Sequence, residues 1–152
     1  MRINAGVLFL ARPVIFVDTS AWVAIRLGED RHHHAASEAW SQVVSAGHAL
    51  CTTNLVVGET YTWLRRRRGY AAAWTFVDWL AGARRVRRPH VTPELEAQAY
   101  TILRQYRDHD FSFVDATSFA FMRAAGLTEA FAFDAHFATA GFIRIPVDRP
   151  VG

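Results

Sequence analysis

Hydrophobic residues along this chain fall into short unbroken runs separated by stretches of helical spacing, and that alternation predicts the fold class. Val14-Ile15-Phe16-Val17 is a continuous apolar run emptying into the polar turn Asp18-Thr19-Ser20, as a buried strand does. A helix over Ala21–Leu27 follows, with Thr19 or Ser20 available to cap it. Gly28-Glu29-Asp30 breaks the pattern, Ala35–Ala46 resumes helical spacing, and His48–Thr52 reads as a short strand. Asn54 can cap the next helix, whose spacing turns Val56, Val57, Thr60, Trp63 and Leu64 inward. Gly69 punctuates it, and Tyr70–Leu80 forms the other arm of a helical hairpin. Arg84–Val91 carries the charge of an edge strand. Thr92-Pro93, with Glu94 and Glu96 behind it, starts a helix that runs to about Tyr106. Ser112 starts another, stopped by Gly126 after Ala125. Ala130–Phe133 is a strand, His136–Ala140 a short turn of helix, and Phe142–Ile145 the last strand. Strands alternating with helices imply right-handed crossovers, hence an α/β fold with a largely parallel sheet covered on both faces.

At 152 residues the chain makes one domain with a sizeable core. We expect that domain over residues 14–150, with residues 1–13 as an extension ahead of the first strand. The apolar stretch Val7-Leu8-Phe9-Leu10 is too short to span a membrane, and Arg12-Pro13 stands where a signal peptide would need small residues. The lone cysteine, Cys51, allows no internal disulfide and no CxxC pair, so a cytoplasmic location fits best.

Charge narrows the chemistry. All 17 basic residues are arginine, and no lysine occurs anywhere. A P-loop needs its lysine on the phosphates and a Schiff-base enzyme needs an amine, so both are excluded. Haloacid-dehalogenase-like phosphatases and response-regulator receivers, which share an aspartate turn like that at Asp18, also rely on a lysine. Net charge is +3, and arginine is concentrated at Arg65, Arg66, Arg67 and Arg68 and again at Arg84-Arg85-Val86-Arg87-Arg88. Such runs are either solvated surface or a means of holding a polyanion.

Four acids stand at strand-to-helix junctions: Asp18 after the first strand, Glu59 just inside a helix, Asp115 at a helix start and Asp134 after a later strand. Each has an ordinary structural reading. Asp18 and Asp134 can serve turns, Glu59 can complement a helix dipole, and Ser112-Phe113-Val114-Asp115 is a capping box. Together they gain a second meaning, because an open parallel sheet gathers its reactive groups beyond the carboxyl ends of its strands. Carboxylates converging there would make a hard, oxygen-rich site for Mg²⁺ or Mn²⁺.

The order Asp, Glu, Asp, Asp with these neighbours resembles the PIN-domain ribonucleases, and within them the VapC toxins of bacterial toxin–antitoxin pairs. Val17-Asp18-Thr19-Ser20-Ala21, Gly58-Glu59-Thr60, Ser112-Phe113-Val114-Asp115-Ala116-Thr117-Ser118-Phe119 and Phe133-Asp134-Ala135-His136-Phe137 match the family's four motifs in turn. Ala132 departs from them, since members often carry Ser or Thr two residues before the fourth acid. The resemblance implies a PIN-like α/β/α sandwich and a Mg²⁺-dependent endoribonuclease toxin acting on structured RNA, rRNA or tRNA. It implies Asp18 and Asp115 as direct metal ligands, Asp134 as a ligand or as the group orienting the attacking water, and Glu59 acting through a water. Thr19, Ser20 and Ser112 would support these acids; separately, the clustering of Arg65–Arg68 on a helix end leads us to expect that this run helps hold RNA. A homodimer and a neutralising VapB-type antitoxin are the implied partners, with no membrane. Two other readings remain: a catalytically idle PIN adapter for RNA or protein, and a DNA-directed nuclease or phosphatase with the same metal site. His32-His33-His34 reads as a solvated helix entry, and the five tryptophans as core or dimer interface.

Overall fold

The computed structural model describes residues 12–152. The expected extension over residues 1–13 therefore lies outside the described residues except for Arg12 and Pro13. Five strands form one sheet: β1 (Ile15–Val17), β2 (Leu50–Cys51), β3 (Val86–Arg87), β4 (Glu129–Phe131) and β5 (Ile143–Ile145). Their order is β3-β2-β1-β4-β5, and every pairing is parallel. The expected edge strand over Arg84–Val91 is an edge strand, but Pro89 and the need to turn toward the next helix cut it to Val86–Arg87.

Among the described residues there are seven helices: α1 (Thr19–Arg26), α2 (His33–Ser45), α3 (Asn54–Arg68), α4 (Tyr70–Gly82), α5 (Pro93–Gln105), α6 (Phe113–Ala125) and α7 (Ala135–Thr139). Packing sorts them into two groups. Helix α1 lies against α2 and α3, and α3 pairs with α4 in the expected hairpin; α5 pairs with α6, which also meets α7. The crossovers from β1 outward through β2 to β3 run in one direction, and those from β3 back to β4 and β5 in the other. Right-handed connections then place α1–α4 on one face and α5–α7 on the opposite face, giving the α/β/α sandwich. The strand order reverses between β1 and β4, and at that switch point the two connections diverge and leave a crevice.

Burial explains why β1 reads as a continuous apolar run. Ile15, Phe16 and Val17 are all at most 1% exposed, covered on both faces. Under the α1–α4 layer, Trp22 packs tilted against Trp40 and Phe76 and edge-on to Trp79. Its indole N–H donates to Thr52 Oγ1 (3.2 Å), whose hydroxyl donates to the Val17 carbonyl (2.9 Å), so a buried polar group of β1 is satisfied across two elements. Under α5–α7 a phenylalanine cluster takes over, with Phe119 edge-on to Phe111 and Phe137.

The tryptophans do not all go inward. Trp22 is fully buried, whereas Trp63 is 46% and Trp74 51% exposed. Helical spacing predicts Trp63 on the inner face of α3, but Val56, Thr60 and Leu64 form that face at spacings of four, and Trp63 falls on the flank beside it. Caps shift too. Asp18, rather than Thr19 or Ser20, caps α1, and Thr53 rather than Asn54 caps α3.

Candidate active site

The chain turns from strand to helix at the mouth of the sheet, and that turn sets the first acid. Asp18 follows β1, donates its N–H to the Phe131 carbonyl of β4 (3.1 Å), and accepts the Ser20 N–H (3.1 Å) on Oδ2 as the N-cap of α1. Ser20 Oγ then donates to the same Oδ2 (2.7 Å) while accepting the Phe133 N–H (3.0 Å). One hydroxyl thus clasps the ends of the two central strands around the first acid. Asp18 is 4% exposed. Burial pushes its carboxyl up from its ordinary 3.8 to about 7; the Ser20 bonds oppose that rise, and the charges of Asp115 and Asp134 add to it.

Asp115 enters at the start of α6 through a capping box. Ser112 Oγ accepts the Asp115 N–H and Asp115 Oδ2 accepts the Ser112 N–H, both at 3.0 Å. Oδ2 also meets His136 Nδ1 at 3.0 Å. Because a carboxylate only accepts, the imidazole carries its proton on Nδ1 there. Asp134 caps α7 through the His136 N–H (2.9 Å), and its Oδ1 lies 3.5 Å from His136 Nδ1. Asp115, Asp134 and His136 each offer an atom within 4.8 Å of the others. Partial burial pulls the His136 pKa down, but the Asp115 hydrogen bond and the charges of Asp134, Asp115 and Asp110 outweigh it, so the net shift is upward.

Glu59 comes from α3 on the facing side. Burial raises its pKa; the nearby Thr19 hydroxyl tempers the rise without completing a hydrogen bond, and Asp115 and Asp134 add to it. All four acids line one cavity of about 720 Å³, together with Thr19, Ser20, Trp63 and Arg67. Ser112 stays outside that lining and acts only on Asp115.

The arginine run at the end of α3 divides. Arg67 lines the acid cavity with its guanidinium 5.4 Å from the centre of the Trp63 ring, and Arg66 lines the adjoining groove. Arg68 is bound to Glu29 (Nε to Oε1, 2.9 Å), and Arg65 sits over Tyr70 (6.0 Å). Sequence reasoning does not single out His136, because a histidine two residues after an acid is unremarkable; its one signal is its place in the fourth motif. The histidine triplet is less solvated than expected. His32 stacks on Phe133 (4.4 Å, 10°) at the cavity rim, and His33 Nδ1 reaches the Ala24 carbonyl (2.7 Å).

The donor set suits a hard cation. Six acidic residues line the cavity: Asp18, Glu59, Asp115 and Asp134, with Glu29 bound to Arg68 and Asp30 accepting the His32 N–H; the imidazole is already engaged by Asp115, and Cys51 lies buried in β2 away from it. The raised pKa values of buried Asp18 and half-buried Glu59 are the expected condition of a site built around a positive charge. Among the described residues no helix is long and apolar enough to cross a membrane.

A family model described as the PIN domain matches residues 15–143. The 23S rRNA-specific endonuclease VapC20 of Mycobacterium tuberculosis is 43% identical over 136 residues, which span 87% of this chain and 98% of that protein. The crystal structure of M. tuberculosis VapC20, a sarcin–ricin loop cleaving toxin, superposes with a TM-score of 0.80 at 42% identity, covering 86% of this chain and 98% of that one. VapBC2 of Rickettsia felis, solved with a DNA fragment from its promoter, shares the fold alone: TM-score 0.63 at 10% identity, over 86% and 96% of the two chains. With the four acids in one crevice and the match running from β1 to β5, the chain belongs to the PIN-domain family.

Proposed function

We propose that this protein is a metal-dependent endoribonuclease toxin of the VapC type that cuts structured ribosomal RNA, with the sarcin–ricin loop of 23S rRNA as its favoured target. The observation that carries this reading is the convergence of Asp18, Glu59, Asp115 and Asp134 on one cavity, in a chain 43% identical to a 23S rRNA-specific endonuclease along nearly its whole length.

Asp18 and Asp115 would hold the cation, with Asp134 beside them; Mg²⁺ would be the natural ion, with Mn²⁺ able to replace it. When bound, such an ion acidifies water and offsets charge developing on the phosphate. The chain's own groups do the rest. Ser20 and Ser112 keep Asp18 and Asp115 from turning away, and His136 holds Asp115 through its Nδ1–H. Asp134 and Glu59 would orient the attacking water, and one of them would accept its proton. Arg66 and Arg67 counter the repulsion between an acidic crevice and the RNA backbone. A VapB-type antitoxin that covers the crevice, and a homodimeric toxin, complete the assembly; both are read from the VapC family, and light scattering with and without the co-expressed partner checks them.

The test is direct. A synthetic sarcin–ricin hairpin, a tRNA and a single-stranded DNA are incubated with purified protein, with Mg²⁺, Mn²⁺ or chelator. Cation-dependent cleavage of the hairpin at one position, with the DNA intact, is expected. No cleavage of any RNA with either ion would leave an idle adapter, and preferential cutting of DNA would replace the substrate.

A further inference from the structure

Helix α3 presents two adjacent rows at spacings of four, Asn54–Gly58–Thr62–Arg66 and Leu55–Glu59–Trp63–Arg67. Between these rows and Val114 of α6 lies a groove of about 740 Å³. It is continuous with the acid cavity, because Glu59, Trp63 and Arg67 line both. Its character differs from that cavity. The floor is Leu55, Val114 and the glycine at position 58, above which a Cβ would meet nothing within 4 Å. Trp63 is 46% exposed at the junction, with a guanidinium over its ring. Asn54 is held by the Val91 N–H on its Oδ1 (2.8 Å), which leaves the amide NH₂ as the group it can offer the groove.

We infer that this groove is a base-binding subsite, taking one unpaired nucleobase of the RNA stacked on Trp63 while its flanking phosphate lies in the acid cavity. The inference rests on the RNA-cleaving reading above and adds where the nucleotide beside the cut is held. An exposed indole next to an apolar floor suits the face of a base, which stacks without regard to its edge pattern. Arg66 and Arg67, the latter also over the Trp63 ring, flank it with the charge a phosphate needs, which a purely apolar ligand would not use. The fixed Asn54 amide supplies one hydrogen bond to a base carbonyl or ring nitrogen.

Single-turnover cleavage of the sarcin–ricin hairpin tests this, using a set of RNAs in which each unpaired base in turn is replaced by an abasic site. Trp63→Ala should raise the half-saturating protein concentration about tenfold on the intact hairpin, with Trp63→Phe between it and wild type. Gly58→Leu fills the floor and should cause a similar loss, yet melt no lower than wild type, since leucine is the better helix former and the space is open. For one abasic RNA, the one lacking the stacked base, wild type should lose affinity and Trp63→Ala should add no further loss. Unchanged half-saturation in both Trp63→Ala and Gly58→Leu would overturn the subsite, as would a Trp63→Ala penalty of equal size on every abasic RNA. Wild-type protein that cuts no RNA would sink the RNA-cleaving reading and the subsite with it; cleavage that ignores Trp63 sinks the subsite alone.

Discussion

On one wall of the acidic cavity, at the ends of β1 and β4 and the start of α6, every carboxylate is held by the turn that delivers it. Asp18 takes two bonds from Ser20, Asp115 takes the Ser112 N–H and His136, and Asp134 takes the His136 N–H. On the opposite wall, α3 brings Glu59, Trp63 and Arg67 with no hydrogen bond to the Glu59 carboxylate among the described residues. The difference separates two jobs. Under the proposed function, groups that would meet a cation in one geometry are pre-positioned by caps, at the cost of burying charge. Groups that would meet a variable polymer stand on an exposed helix flank and can adjust.

The largest effects should come from the held wall. Asp115→Asn and Asp18→Asn are expected to lower single-turnover cleavage at least about a hundredfold, the scale of losing a preorganised electrostatic group. Asparagine keeps the cap at either position, so the melting temperature in the absence of cation should not fall. Near-wild-type cleavage by either purified variant would remove that acid from the site.

The same wall makes a pH prediction. Asp18 titrates near 7 in the folded protein against 3.8 for the ordinary group, so the folded state keeps a proton that the unfolded state has released. Cation-free protein therefore gains nothing from this group below about pH 4, loses stability as pH climbs from there to about 7, and holds the full penalty above. Glu59, also raised, acts in the same direction. A cation that binds only the folded state adds about 2.7 kcal/mol at one hundred times its Kd. Melting curves at pH 5 and pH 8 with chelator or Mn²⁺ check this: Mn²⁺ should raise the melting temperature more at pH 8. An equal or smaller rise at pH 8 would mean that the acids do not share one cation.

Ser20→Ala and Glu59→Gln sharpen the contrast between the walls, because both should slow cleavage about tenfold while moving stability in different ways. Ser20→Ala leaves the Phe133 N–H unpaired and unclasps β4 from Asp18, costing roughly 1–3 kcal/mol. Glu59→Gln removes a half-buried charge that no hydrogen bond supports, so cation-free stability at neutral pH should hold or rise. Chemical denaturation separates them, and an equal loss in both would erase the distinction.

Much of the held wall is legible in the sequence because strand ends and caps are local. The run Val14–Val17 and the spacing of Ser112 to Asp115 each specify a turn that leaves one acid at its tip. What is not legible depends on long-range pairing. Ser20 reads as a cap candidate until Phe133, 113 positions away, arrives at its hydroxyl. That bond comes to the strand end just past Ala132, where members of the family often carry a hydroxyl residue instead. His136 likewise needs α6 and α7 to meet before it touches Asp115. Trp63 reads as inward-facing because helical spacing alone does not say which of two neighbouring rows is covered; the row through Val56, Thr60 and Leu64 is buried and the next faces the groove.

The smallest effects should come from the arginines of the adjustable wall, and they differ within a run that the sequence presents as uniform. Arg66 and Arg67 line the groove and cavity, whereas Arg68 is engaged by Glu29 and Arg65 sits over Tyr70. Removing one arginine–phosphate interaction should make the log–log dependence of RNA binding on salt shallower by about one unit. Replacing Arg66 and Arg67 with alanine should therefore flatten the slope by up to about two units and weaken binding of all RNAs alike, since interactions with the backbone carry no sequence information. Replacing Arg65 and Arg68 should leave the slope unchanged, because neither lines the groove or the acid cavity. Binding measured across a salt series decides it, and equal slopes for the two double variants would mean that position along α3 does not determine which arginines meet the RNA.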